Sequence, residues 1–218
     1  MMNIALIIGF VIVVLTIGHV VLRRKYNKLC ADKKFAEEYR EWFYRLQKKY
    51  FSTYNRLDRA GKLDSKAYSW LTMNVDKMQF MLGRFGLANY KSAYQANYLR
   101  DYKVLANTLP KFRNNSIHED DASLVDDCLL RYSGYLDKGI EIFRSKYLNP
   151  IECAKYGLRR IMSVPIELLG WFGVFSDAKV KQFLGGQFFK GVNGLVGLAG
   201  AVVAIVEFWK LFAGFFAE

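Results

Sequence analysis

Cysteine and histidine are scarce in this chain. There are three cysteines, Cys30, Cys128 and Cys153, and two histidines, His19 and His118. The cysteines are odd in number and widely spaced, so they show neither a disulfide framework nor the paired spacing of a zinc site. Two histidines are too few for a histidine-rich metal site. We therefore expect a reduced compartment and no bound metal or other cofactor.

Catalytic motifs are also missing. The sequence contains no glycine-rich loop that cradles phosphate, no paired metal-ligand spacing and no nucleophile-elbow motif. The acidic cluster between Glu119 and Asp127 lacks the glycine and the ligand periodicity of a calcium loop, and we interpret it as a solvated helix start. These absences favour a protein that is not an enzyme.

Charged residues are missing from Asn3 to Leu22. About 20 apolar residues are enough to cross roughly 30 Å of hydrocarbon as an α-helix. A basic cluster that would stay in the cytoplasm follows directly: Arg23, Arg24, Lys25 and Lys28. The segment lacks the basic leading region and cleavage site of a signal peptide. Residues 1–24 are predicted to be a transmembrane anchor with the N-terminus outside, in which Gly18 and His19 are packing and interfacial residues.

The C-terminal region, residues 161–218, is apolar but interrupted. The stretch Ile161–Ser176 is only 16 residues long and contains Pro165 and Glu167, which is short for a complete span and favours an interfacial or re-entrant element. The segment Gly191–Phe216 is long enough to span. One crossing there, with the C-terminus outside, is preferred over a full hairpin from Ile161.

The last segment carries small and polar residues that suit contact between helices. They are Asn193, Gly194, Gly197, Gly200, Ala204 and Glu207. Small residues allow close packing, either within one subunit or between copies. In the second case the last helices of several copies would enclose a pore, with Asn193 and Glu207 as its polar elements.

Between the apolar ends lies a strongly basic body, residues 25–160. The stretch from Arg23 to Arg160 contains 28 lysines and arginines against 16 aspartates and glutamates, which accounts for the whole net charge of +12. Orientation in a membrane needs only a few of these charges. The remainder would attract anions such as lipid headgroups, nucleotides or nucleic acid.

Hydrophobic periodicity divides this body into helices. Glycine and proline are absent from Val20 to Ala60, which predicts that the anchor continues into the cytoplasm as one long helix. A second helix is predicted to start with Asp64 as its N-cap. A fourth opens at Glu119 with acidic residues, and a fifth begins at Asn149, with Pro150 as its first residue.

The third predicted helix, Asn89–Leu109, carries the candidate binding residues. Its tyrosines recur every four residues, and Pro110 is predicted to end it. Rings beside cationic side chains hold single-stranded nucleic acid by stacking and charge, although a tyrosine stripe also suits helix packing. The candidate ligand-binding residues are Tyr90, Lys91, Tyr94, Tyr98, Arg100, Lys103, Lys111 and Arg113.

The order of an anchor, a basic helical body and a C-terminal membrane element resembles the small membrane effectors of bacterial antiphage defence, and among them the Hailong type. The stretch Asn149–Gly173, NPIECAKYGLRRIMSVPIELLGWFG, has the character of a family signature. The resemblance implies a channel in the bacterial inner membrane that is controlled by a nucleotide oligomer, which a partner nucleotidyltransferase makes. It assigns no binding residue.

The sequence thus predicts an all-α membrane protein with an N-terminal transmembrane helix, a helical cytoplasmic bundle and a C-terminal membrane helix or re-entrant hairpin. Its first functional interpretation is an oligomeric inner-membrane channel or membrane-disrupting effector, gated by an anionic ligand, with an oligonucleotide or nucleotide as the favoured ligand. The alternative is a non-conducting, membrane-anchored scaffold that recruits a protein partner at an anionic membrane surface. Membrane lipids and further copies of the chain are expected partners in the first case.

Overall fold

The computed structural model describes residues 4–55, 57, 60–91 and 98–171, and this part of the chain is mostly helical. A short 3₁₀ turn at Gly83–Gly86 follows the second helix. The main elements in chain order are α1 (Ile4–Ser52), α2 (Ser65–Leu82), β1 (Leu87–Lys91), β2 (Tyr98–Lys103), α3 (Val104–Arg113), α4 (Glu119–Leu148) and α5 (Pro150–Trp171). The helical character of the predicted fold is confirmed.

Within the described residues, no helix is both long enough and apolar enough to cross a membrane. The predicted span Gly191–Phe216, with its six small and polar residues from Asn193 to Glu207, lies outside the described residues. The transmembrane part of the predicted fold therefore stays a prediction.

The long first helix is confirmed, since α1 continues without a break from Ile4 to Ser52. The helices pack as two compact units, to which α1 and α4 both contribute. We call Arg24–Arg144 the central unit, and within the described residues the terminal unit combines the start of α1 with residues 145–171.

The terminal unit is built on a close crossing of α1 and α5 at two glycines. A Cβ placed on Gly18 would lie 1.7 Å from the carbonyl oxygen of Cys153, and a Cβ on Gly157 would lie 1.9 Å from that of Val14. Two backbones can approach this closely only where no side chain intervenes. The interpretation of Gly18 as a packing residue is confirmed.

The start of α5 is a sharp break from α4, as the sequence predicts. The side-chain Oδ1 of Asn149 accepts a hydrogen bond from the backbone N–H of Ile151, and its carbonyl accepts one from Cys153. The carbonyl oxygen of Tyr147, at the end of α4, accepts a hydrogen bond from the Cys153 thiol at 3.4 Å and lies 3.2 Å from Nδ1 of His19. His19 therefore packs at the joint between these helices.

The core of the central unit forms around one face of α1. Its buried residues recur at helical spacing: Ala36, Tyr39, Phe43, Leu46 and Tyr50. The rings of Phe43 and Tyr50 meet the ring of Phe112 on α3 edge-on, at 5.9 and 5.3 Å. Other helices supply the rest of this core: Leu71, Met78 and Leu82 from α2, and Val125, Leu129 and Leu136 from α4. α1 is therefore the element on which the others pack.

The prediction of a single third helix over Asn89–Leu109 is wrong, because Asn89–Lys91 and Tyr98–Lys103 belong to the antiparallel strands β1 and β2, and the segment is helical only from Val104. Residues four apart share one face in a helix and also in a strand, so the tyrosine spacing fits both structures. Aromatic residues moreover favour strands. The hairpin has a bulge in which Arg100 and Asp101 lie opposite Asn89, and Asp101 takes a positive φ of 53°.

The prediction that Pro110 ends a helix is also wrong, because Pro110 lies inside α3. Its carbonyl accepts a hydrogen bond from the backbone N–H of Asn114, so the last turn stays closed although proline itself donates none. Phe112 in the same turn is buried against the aromatic core. Burial of this ring offsets the lost hydrogen bond.

The N-cap of α2 is Asp64, as predicted. Its side chain accepts a hydrogen bond from the backbone N–H of Ala67 at 3.2 Å. Nε of Arg45 and Nζ of Lys49 lie 3.3 and 3.8 Å from its other oxygen. The Ala67 N–H, together with the charges of Lys49 and Arg45, lowers the pKa of Asp64 below its ordinary 3.8.

Because the folded pKa is lowered, the stabilisation by Asp64 is present above the ordinary pKa and is lost as the pH falls through the folded value. Asp64→Asn keeps a capping oxygen but removes the charge. We expect this variant to be less stable than the unchanged protein at neutral pH, with a shallower loss of stability below about pH 4. Urea unfolding at a series of pH values measures this, and parallel curves for both proteins would contradict it.

The glycine crossing gives a second prediction. Gly18→Ala forces α1 and α5 apart and should lower the free energy of unfolding by about 2 kcal/mol, the usual cost of overpacking. Gly9→Ala is the matched control on the same helix, because no atom lies within 4 Å of a Cβ at Gly9. Thermal unfolding of the full chain in detergent, followed by circular dichroism, compares the two. A loss of equal size in both variants would disprove the close crossing.

Candidate anionic-ligand site

The structure distributes the predicted ligand-binding residues over three elements. Tyr90 and Lys91 belong to β1; Tyr98, Arg100 and Lys103 belong to β2; Lys111 and Arg113 belong to α3; and Tyr94 lies outside the described residues. The side chains of Arg100, Lys103 and Arg113 are exposed. The predicted stripe along one helix face therefore does not exist, and these residues lie on the hairpin and on the helix after it.

Lys111 has a structural partner. Its Nζ lies 2.8 Å from Oδ1 of Asp121, a residue that is only 3% exposed. The other oxygen of Asp121 accepts a hydrogen bond from the backbone N–H of His118 at 3.3 Å. A buried carboxylate needs such a partner, because an unpaired charge is costly away from water. Lys111 of α3 therefore forms an ion pair with Asp121 in the first turn of α4, and this pair stabilises the packing of the two helices.

A different group of rings lies where α1 and α2 pack together. Trp42 of α1 stacks on Trp70 of α2, with ring centroids 5.7 Å apart and planes inclined by 24°. Phe35 of α1 lies 6.2 Å from Trp70, and the buried Tyr39 lies 5.9 Å from it. Phe35, Trp42 and Trp70 are each half-buried, so part of every ring reaches the surface. Together these rings form an aromatic platform along the contact between the two helices.

Two cations lie over this platform. Nζ of Lys77 is 3.7 Å from the centre of the Phe35 ring, and the guanidinium carbon of Arg45 is 5.2 Å from the centre of the Trp42 ring. The carboxylate of Asp64 holds Arg45 through an ion pair. We call Phe35, Trp42, Trp70, Arg45 and Lys77 the ring-and-cation seam.

Regular helical spacing produces the seam. Phe35 and Trp42 are separated by seven residues on α1, and Trp70 and Lys77 by seven on α2, so each pair lies on one side of its helix. Further exposed charges border it on α1 and α2: Lys34, Glu38, Lys49 and Lys66. Three of these four are basic, and one of the three, Lys49, already lies 3.8 Å from the Asp64 carboxylate.

This arrangement suits a ligand that combines planar rings with negative charge. Aromatic faces stack with nucleobases, and ammonium and guanidinium groups pair with phosphates. Cations already placed over rings also gain from the ring electrons. The same rings pack α1 against α2, so the seam has a structural role beside any ligand.

The seam was missed by sequence reasoning, although its signal is present. In the sequence, Phe35 and Trp42 both fit the apolar face of one long helix. The pairing of α1 with α2, which brings Trp70 and Lys77 to them, is a tertiary contact that periodicity within one helix does not reveal. The signal in the sequence is the seven-residue spacing of Phe35 and Trp42 on one helix and of Trp70 and Lys77 on the next.

Comparisons of this chain with protein-family models, with curated proteins and with solved structures give no match.

The role of Lys111 leads to a prediction. Lys111→Met leaves the Asp121 carboxylate buried without its cation and should lower the free energy of unfolding by about 3 kcal/mol. Arg113→Met removes a cation from the exposed end of the same helix and should change it by less than about 0.5 kcal/mol. Chemical unfolding of the full chain measures both. Equal stabilities of the two variants would show that Asp121 does not depend on Lys111.

Proposed function

We propose that this chain is an oligomeric effector of the bacterial inner membrane, a channel or membrane-disrupting protein that an anionic ligand controls. The observation that carries the proposal is the ring-and-cation seam, where Lys77 and Arg45 lie over aromatic rings at the surface of the central unit. The favoured ligand is a single-stranded oligonucleotide, because its bases can stack on the rings while its phosphates meet the cations.

The membrane part of the proposal is supported by the first helix. Its sequence has no charge from Asn3 to Leu22, and basic residues follow immediately. Large apolar side chains of this segment are exposed in the structure: Ile8, Phe10, Val11, Ile12, Val13 and Val20. A contiguous apolar surface of this kind indicates contact with lipid or with another protein. With the N-terminus outside, residues 25–160 would lie in the cytoplasm.

The continuity of α1 supports control from the seam. Phe35 and Trp42 lie on the same unbroken helix as the apolar segment, so a change in how α1 packs on α2 acts on the element that reaches the membrane. A ligand shifts such an equilibrium only if it binds the open and closed states with different affinity. On this proposal the ligand comes from a partner nucleotidyltransferase, as the likeness to antiphage effectors implies.

The test uses the purified full chain in liposomes that contain anionic lipid. We expect short single-stranded oligonucleotides to change ion flux and to bind more weakly as salt rises, because phosphate contacts release counterions. Flux that is absent with and without oligonucleotide would overturn the channel. Binding that salt leaves unchanged would overturn the electrostatic part of the proposal.

A matched pair of variants locates the ligand. Lys77→Gln removes a cation from the seam and should weaken oligonucleotide binding by roughly 3- to 10-fold, the size of a single phosphate contact. Lys138→Gln makes the same change at an exposed position of α4 and should leave the affinity unchanged. Fluorescence anisotropy of a labelled oligonucleotide measures both. Equal losses in the two variants would show that the whole basic surface, and not the seam, attracts the ligand.

A second candidate function, a non-conducting scaffold, is favoured by the exposed basic residues Arg23, Arg24 and Lys28 beside the apolar segment. Each lysine or arginine near an anionic membrane contributes about 1 kcal/mol to binding. Strong attachment to anionic liposomes without flux under any oligonucleotide would support the scaffold.

A further inference from the structure

Two large apolar side chains are left open to solvent on the outer side of α2. Phe80 is 88% exposed and Met73 is 76% exposed. They are seven residues apart and therefore lie on the same side of the helix, opposite the buried Leu71 and Met78. Two large exposed apolar side chains on the same side of a helix offer a surface on which another molecule can dock. We call this surface the outer α2 face.

The outer α2 face is bordered mainly by positive charge. Lys62, Lys66 and Arg84 are exposed beside it, and Asp76 is the one acidic residue on α2 near Met73 and Phe80. Its partner should therefore offer an apolar surface together with carboxylates.

A groove of matching character lies between α1 and α4 in the same central unit. It has a volume of about 450 Å³ and is lined by side chains that include Glu37, Glu41, Tyr44, Leu130 and Ser133. Tyr44 is 55% exposed and Leu130 is 44% exposed, so the groove offers apolar surface to a partner. We call it the α1–α4 groove.

Among the described residues that line the α1–α4 groove, Glu37 and Glu41 are acidic and Arg40 is basic, and Nζ of Lys48 lies 5.9 Å from the centre of the Tyr44 ring. The lining cation, Arg40, is paired with Asp126, with Nε 2.6 Å from the carboxylate. Lys33 nearby is shared between Glu37 and Asp137. Within the described residues no ion pair involves Glu41, so its charge remains available to a partner.

The two surfaces cannot meet within one molecule. α2 packs on the side of α1 that carries Phe35 and Trp42. Glu37, Glu41 and Tyr44 lie on another side of α1, because each residue advances by about 100° around a helix of 3.6 residues per turn. The outer α2 face of one molecule can therefore enter only the groove of another.

We propose that copies of this chain associate head to tail, with the outer α2 face of one copy seated in the α1–α4 groove of the next. Phe80 and Met73 meet Tyr44 and Leu130, and Lys66 faces the carboxylates of the groove. A heterologous contact repeats from copy to copy and closes into a ring when its rotation permits. This contact rests on the proposed function, which requires an oligomer, and it is the contact through which the copies would assemble.

The test uses two variants of the full chain in detergent, each of which destroys one side of the contact. Phe80→Asp places a negative charge on the outer α2 face and leaves the α1–α4 groove intact. Leu130→Asp places a negative charge in the groove and leaves the outer α2 face intact. Each variant alone should self-associate at least about tenfold more weakly, as expected when a buried apolar contact is lost. Both positions are exposed in the single chain, so the fold should be kept, which circular dichroism checks. Leu57→Asp, at another exposed apolar position, should leave association unchanged.

Mixing the two variants distinguishes a head-to-tail contact from a symmetric one. Each variant then offers the surface that the other lacks, so sedimentation should show a dimer of the two variants and no larger species. Oligomers that persist in both single variants, or a mixture that stays monomeric, would overturn the contact. Ion flux is measured separately and tests the proposed function. If flux is absent while the oligomers remain, the proposed function fails but the head-to-tail contact stands.

Discussion

The structure depends on one constraint, the unbroken course of α1 through both units. No glycine or proline interrupts the chain from Val20 to Ala60, so a single helix extends from the apolar start into the aromatic core. Its two ends are fixed in different ways. Gly18 crosses the backbone of α5 at very short range, while Tyr39 and Phe43 bury large side chains among α2, α3 and α4. Each end of α1 therefore packs within its own compact unit.

Internal ion pairs determine which of the many cations remain available. Lys111 neutralises the buried Asp121, Arg40 pairs with Asp126, and Asp64 holds Arg45 beside Trp42. The pairs of Asp121 and Asp64 contribute to folding, because these two carboxylates are buried and an unpaired buried carboxylate would be costly. The net charge of +12 therefore does not locate a binding site by itself. The seam stands out because its two cations lie over rings that also contact each other between α1 and α2.

Several local signals in the sequence predict the local structure, while Pro110, which lies inside α3, does not. The cap at Asp64, the acidic start of α4 and the break at Asn149 each depend on residues within one turn, and all three are confirmed. The hairpin was missed because a four-residue spacing suits strands as well as helices. The seam was missed because it needs the pairing of Trp42 with Trp70, and that pairing is decided by the whole core.

The two proposed surfaces have a physical link, since both involve α2. The seam lies where α2 packs on α1, and the outer α2 face carries Phe80 and Met73 on the same helix. On the proposed function, a ligand that stacks on Trp42 and Trp70 would change the packing of α2 and hence the position of its outer face. Linkage requires the effect to be mutual: if the ligand strengthens head-to-tail association by some factor, association strengthens ligand binding by the same factor. An assembly built in this way would respond to its ligand cooperatively, with no direct contact between one ligand and the next.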